Sequence, residues 1–144
     1  MTELRTLLTK GLRPGVYRWP SDARPDQVRR DAAEAGWDFV LLDTSEIHDK
    51  TGFLDLCATA FDLPRWFGRN WDALADSLGD RSTGEPELVL WAGLHHLLEH
   101  DRDTVDVALQ IFSEDVTASG QLRVLVQEHP DAEPPDLLSA QPVL

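Results

Sequence analysis

Leu63-Pro64-Arg65-Trp66-Phe67-Gly68-Arg69-Asn70-Trp71-Asp72-Ala73-Leu74 is the stretch from which the rest of the chain is read. Pro64 fixes φ and Gly68 permits positive φ, so the residues between them form a tight aromatic turn. Asn70 stands where a side-chain oxygen caps a helix. That helix runs to about Leu78, because Trp71, Leu74 and Leu78 recur at i, i+3 and i+7, the spacing of a buried stripe. Asp72 and Asp76 lie four apart on a different face. Like charges at that spacing cost an isolated helix about a few tenths of a kcal/mol. The bland reading is a solvated face, with Asp72 favourably placed near the helix N-terminus. The sharper one is a pair of carboxylates kept for a partner.

Outward from this stretch, the pattern alternates between strands and helices. Gly15–Trp19 reads as a short strand, followed by a turn at Pro20 to Asp22. Pro25 suits the first turn of a helix and Gly36 its end. Trp37–Asp43 holds a continuous apolar run, the signature of a strand covered on both faces. Phe53, Leu56, Cys57, Ala60 and Phe61 follow helical spacing over roughly Lys50 to Phe61. After the acidic helix comes a polar loop, Gly79–Glu87. A buried strand follows at Leu88–Trp91, then a short helix carrying Leu94, Leu97 and Leu98. A longer helix carries Val105 to Val116 and ends at Gly120. Leu122–Val126 is the last strand.

Strands joined through helices predict a parallel sheet with right-handed crossovers. The expected fold is therefore α/β, with about four parallel strands and helices packed on them. One domain is expected over 1–129, including an N-terminal strand-helix extension at 13–36. The Pro- and acid-rich segment 130–144 reads as a disordered tail.

The 144 residues suit one domain, and the net charge of −13 argues against nucleic acid or an anionic membrane as direct partner. It permits steered encounter with a basic protein. No apolar run approaches the ~20 residues that span a bilayer, and the N-terminus lacks a signal-peptide core. The single Cys57 excludes an internal disulfide. Together these features predict a cytoplasmic protein. Cys57 itself lies on a core stripe and reads as a buried thiol. His96 and His100 are four apart on a helix, with His95 beside them. Without a third ligand they read as surface histidines, and no metal or cofactor is expected.

The opening stretch resembles the barstar family of ribonuclease inhibitors. The family run is Leu-Pro-x-aromatic-aromatic-Gly-x-Asn-x-Asp-Ala-Leu, with an acid two residues beyond the last Leu, here Asp76. The resemblance continues through Leu88–Trp91 and the Leu109–Glu114 run, covering roughly Trp37 to Gln127. It departs at Ala75 and Arg81, where relatives carry aromatics, and at Arg69, where relatives can carry an acid.

The resemblance implies a non-enzymatic inhibitor of a basic, secreted or toxin ribonuclease of bacterial type, barnase-like or guanyl-specific. Asp76 would stand in for a substrate phosphate, with charge-assisted hydrogen bonds from the enzyme's Arg side chains. Asp72 would pair with a neighbouring base, Glu114 would contact the rim, and Trp66 would pack on the enzyme's catalytic groups. Phe67, Gly68, Arg69 and Asn70 complete the binding segment. A monomer serving in self-protection or as an immunity protein is expected. The alternatives are a small metal-dependent or hydrolytic enzyme built on Asp72 and Asp76, and an acidic module that binds some other protein.

Overall fold

The computed structural model describes residues 3–64, 67–80, 85–119, 122–131 and 133–144, with the backbone alone for residue 3 and for 115–119. Chain order is α1 (Glu3–Lys10), β1 (Gly15–Pro20), α2 (Pro25–Glu34), β2 (Asp38–Asp43), α3 (Lys50–Ala60) and α4 (Trp71–Asp80). It continues with β3 (Glu87–Ala92), α5 (Leu94–His100), α6 (Arg102–Ser119) and β4 (Leu122–Glu128). The α/β expectation holds: the four strands form one sheet in the order β1-β4-β3-β2, and every pairing is parallel. The N-terminal strand is thus an edge strand laid against β4.

Alternation along the strands feeds two cores. On β3, Val89 and Trp91 face one side while Leu88 and Leu90 face the other, and all six residues of the strand are buried. The first side is closed by α3 to α6, with Phe53, Leu74, Leu78 and Phe112 of these helices and Phe61 just past α3 fully buried. The second is closed by α1 and α2 through Leu4, Leu8, Val28 and Ala32. β2 departs from the doubly covered strand expected of its apolar run. It is the other edge, and Phe39 and Leu41 are only half-buried beneath α2, because no further strand among the described residues lies beyond them.

Turns at the carboxyl ends of the strands have local causes. Gly93 adopts φ +69°, and a Cβ there would lie 2.6 Å from the Ser45 backbone nitrogen, so only glycine lets β3 turn into α5 beside the end of β2. Trp91 donates from Nε1 to Thr44 Oγ1 at 2.9 Å, which satisfies the buried indole.

Residues 133–144 depart from the disordered tail expected of the segment's composition. A 3₁₀ turn at Asp136–Leu138 buries Leu138 completely in the larger core. The chain then runs parallel to the outer edge of β1. Arg18 N–H donates to the Pro142 carbonyl and Leu144 N–H to the Arg18 carbonyl, both at 2.8 Å. Composition misled because a few leucines, Leu138 with the half-buried Leu137 and Leu144, and main-chain bonds to β1 hold this segment, with no apolar periodicity to announce them. Docking there covers an edge that would otherwise expose unpaired backbone groups. Helix α1 also went unread, although Leu4, Leu7 and Leu8 carry its i, i+3, i+4 spacing.

Candidate protein-binding site

The acidic helix begins where its cap sets it. Asn70 Oδ1 accepts from the Ala73 N–H at 2.8 Å, and its carbonyl accepts from the Leu74 N–H at 3.0 Å. This satisfies two groups that a helix start leaves open. Leu74 and Leu78 anchor α4 in the core and Trp71 is half-buried against Phe53, with ring centroids 5.9 Å apart. Full burial of each leucine stabilises the helix by about 1.5–3 kcal/mol. That far exceeds the cost of two neighbouring carboxylates, so the acids are held in place by packing elsewhere on the helix.

The turn before α4 is closed by the Phe67 N–H donating to the Pro64 carbonyl at 2.9 Å. Its left-handed residue is not Gly68, as the sequence led one to expect, but Arg69, at φ +53°. Gly68 matters sterically instead. A Cβ there would stand 3.0 Å from the Asn70 side-chain nitrogen, crowding the cap. Phe67, counted in the binding segment, is buried in the core, where the turn tucks its ring beneath Arg69, whose guanidinium lies 5.6 Å from the ring centroid. Trp66, expected as the aromatic contact, lies outside the described residues, as does Arg81.

Asp72, Asp76 and Glu114 are exposed, and none of them takes part in a side-chain hydrogen bond or ion pair among the described residues. Glu114 belongs to α6, which packs against α4, so the fold sets all three acids on two neighbouring helices. Ala75 is half-buried against the core. Arg69 does not add a free positive charge to this surface. Its Nε pairs with Asp55 of α3 at 2.6 Å. An exposed pair of this kind contributes only about 0–1 kcal/mol. It nevertheless neutralises the cation beside the two acids and ties the turn to α3. Asp55 was missed because a pairing across 14 positions of sequence, through a left-handed residue, leaves no local pattern.

The other candidates resolve into structural roles. Cys57 is fully buried, and burial pushes its thiol pKa up, which leaves the nucleophilic thiolate unpopulated. His96 and His100 stack with ring centroids 4.3 Å apart, and His48 joins them at 6.1 Å from each. His100 Nδ1 lies 2.8 Å from the His96 carbonyl. Among the described residues no group of three or more His, Cys, Asp or Glu is arranged to hold a metal ion. No helix among them is long and apolar enough to cross a membrane.

The class the fold defines is an all-parallel α/β domain, here with exposed carboxylates on a helix anchored in the core. The particular family follows from comparison with known sequences. The family model described as Barstar (barnase inhibitor) matches residues 37–127, and the chain belongs to that family. The match takes in β2 through β4 and leaves α1, β1, α2 and the C-terminal segment outside it. No curated protein matches the chain.

Proposed function

We propose that this protein inhibits a basic microbial ribonuclease, barnase-like or guanyl-specific, by inserting α4 into its active site. Membership of a family of ribonuclease inhibitors supplies the partner class. The observation that carries the reading to this chain is the state of Asp72, Asp76 and Glu114: exposed, uncommitted, and fixed on helices anchored by buried leucines. Carboxylates in that state are preorganised acceptors, and Arg side chains around a phosphate site are their natural donors.

In this reading Asp76 occupies the place of the substrate phosphate. Asp72 pairs with an adjacent basic residue and Glu114 meets the rim. Trp66 supplies the aromatic contact, while Asn70, Gly68 and Phe67 hold the turn and Arg69 ties it to Asp55. The protein acts as a monomer in the cytoplasm, without metal or cofactor, in self-protection or as an immunity protein. The net charge of −13 speeds encounter with a cationic enzyme, and that acceleration weakens as salt rises.

The deciding measurement is cleavage of a fluorogenic RNA substrate by a barnase-type and by a guanyl-specific ribonuclease, titrated with the purified protein. Stoichiometric loss of activity in at least one, unaffected by EDTA, is the expected result. Full activity of both enzymes at a large excess of the protein would overturn the reading for these two classes.

A further inference from the structure

A second feature of the molecule owes nothing to α4. Where α1, the end of β1, the start of α2 and the C-terminal segment meet, they enclose a cavity of about 540 Å³. Its walls include Leu4, Leu7, Trp19 and Leu144, and its polar lining includes Gln27 and Asp31. That volume falls within the ~300–1,000 Å³ of small-molecule sites.

Asp31 is the informative residue. It is only 7% exposed, yet it receives a single hydrogen bond among the described residues, from Gln27 Nε2 to Oδ1 at 3.0 Å. A buried carboxylate offers about four acceptor positions, and burying it without donors is costly. Arg5, the cation whose field reaches Asp31, is itself engaged by Glu34. Among the described residues neither Lys nor Arg lines the cavity, whereas a second acid, Asp22, does. The walls thus combine negative charge, aliphatic surface and one indole, whose face attracts cations.

We propose that this cavity binds a small organic cation, a protonated amine carried on an apolar body. The ammonium donates to Asp31 and the apolar part lies against Trp19, Leu4 and Leu7. An anion would meet two carboxylates and no cation in the lining. A wholly apolar ligand would leave Asp31 as poorly satisfied as before.

The test needs no nuclease, so its outcome is independent of the inhibitor reading. The full chain, labelled with ¹⁵N, is titrated with 2-phenylethylamine and separately with 2-phenylethanol, its uncharged near-isostere. Saturable shifts are expected at the Trp19 indole, the Ala23 amide and the Gln27 side-chain amide, with the alcohol about tenfold weaker or worse. Asp31→Asn is expected to weaken the amine by a similar factor and to leave the alcohol unchanged. The proposal fails if the amine causes no saturable shift at these positions, if the alcohol binds as well, or if Asp31→Asn binds the amine like the parent. Should Asp31→Asn not fold, the amine and alcohol affinities of the parent chain decide the question alone.

Discussion

On α4 the charged groups are outside and their scaffold is inside; where the two ends of the chain meet, the charge is inside and its surroundings are open. Asp72 and Asp76 keep their solvation while Leu74 and Leu78 hold the helix. Asp31 has lost nearly all of its solvation and has gained one amide donor. An exposed acid on a buried frame can be removed without disturbing the fold, so its value lies in what it meets. A buried acid beside a cavity is tied to the stability of its own region. The first arrangement lies within the barstar match, and the second is built entirely from residues outside it.

The largest effect that could break this contrast is expected from Asp76→Ala. If Asp76 sits desolvated among the enzyme's cations, its removal leaves them unpaired, and binding weakens by about 2–5 kcal/mol or more. That scale comes from charged hot spots at protein interfaces, a barstar among them, and not from the geometry of this chain. Asp72→Ala weakens binding less, and Glu114→Ala least, since rim charges stay solvated. Stability in urea should change little for any of them: losing the Asp72–Asp76 repulsion adds about a few tenths of a kcal/mol, which for Asp72→Ala is offset by the loss of its favourable place at the helix N-terminus. Affinity and urea titrations on the same three variants check both halves. A well-folded Asp76→Ala with unchanged affinity would remove α4 from the inhibitory surface.

Leu138→Ala probes the opposite region. The side chain is fully buried and belongs to the segment that covers the β1 edge. Its truncation should cost about 3 kcal/mol of stability, in the range of buried Leu-to-Ala changes. Deleting 130–144 removes the edge pairing as well, so it should lower the melting temperature further. Nuclease affinity of the folded fraction should hardly change. A deletion that melted like the full chain would show that the C-terminal segment contributes nothing to the fold.

The two regions also differ in how far the sequence reveals them. Asn70, Leu74 and Leu78 act within one helix turn or two of each other, so their spacing carried the cap, the stripe and the exposed acids together. Strand positions and their parallel direction followed from apolar runs separated by helices. The order β1-β4-β3-β2 did not, because it depends on which edge an N-terminal strand joins, a choice made by long-range packing. The docked C-terminal segment, the Asp55–Arg69 pair and the placement of Asp31 rest on contacts between distant positions. Gly68 was read as the left-handed residue, since glycine is the usual occupant, while the structure strains Arg69 instead and spends the glycine on space for Asn70.

A smaller effect is expected from Cys57, which reports on the core beneath α3. Burial raises its pKa, so above ~8.5 the unfolded chain loses a proton that the folded chain keeps. The unfolded state then binds fewer protons, and stability falls as pH rises, by up to ~1.4 kcal/mol per pH unit. Below the unfolded thiol's pKa the contribution is constant. Urea titrations of the parent and of Cys57→Ala between pH 8 and 10 isolate this slope, since all other groups are shared. Parallel curves would mean that the thiol ionises without opening the core.

The finest test concerns Asn70, where the scaffold of α4 meets its charged face. Its side chain accepts from the Ala73 N–H and donates to the Gly68 carbonyl at 3.2 Å, so it closes both the helix start and the turn. Asn70→Ala should cost about 1 kcal/mol of stability, the usual loss of a helix cap. Asp72 lies in the first turn that this cap orders, whereas Asp76 lies one turn further along, beside the buried Leu74 and Leu78. Affinity for the nuclease should therefore fall by no more than Asp72→Ala alone produces. Combining Asn70→Ala with Asp72→Ala should give less than the sum of the two losses in affinity, because neighbouring groups that act through one element couple. Additive losses in a double-mutant cycle would show that the cap supports stability alone, and that the buried stripe is sufficient to place both acids.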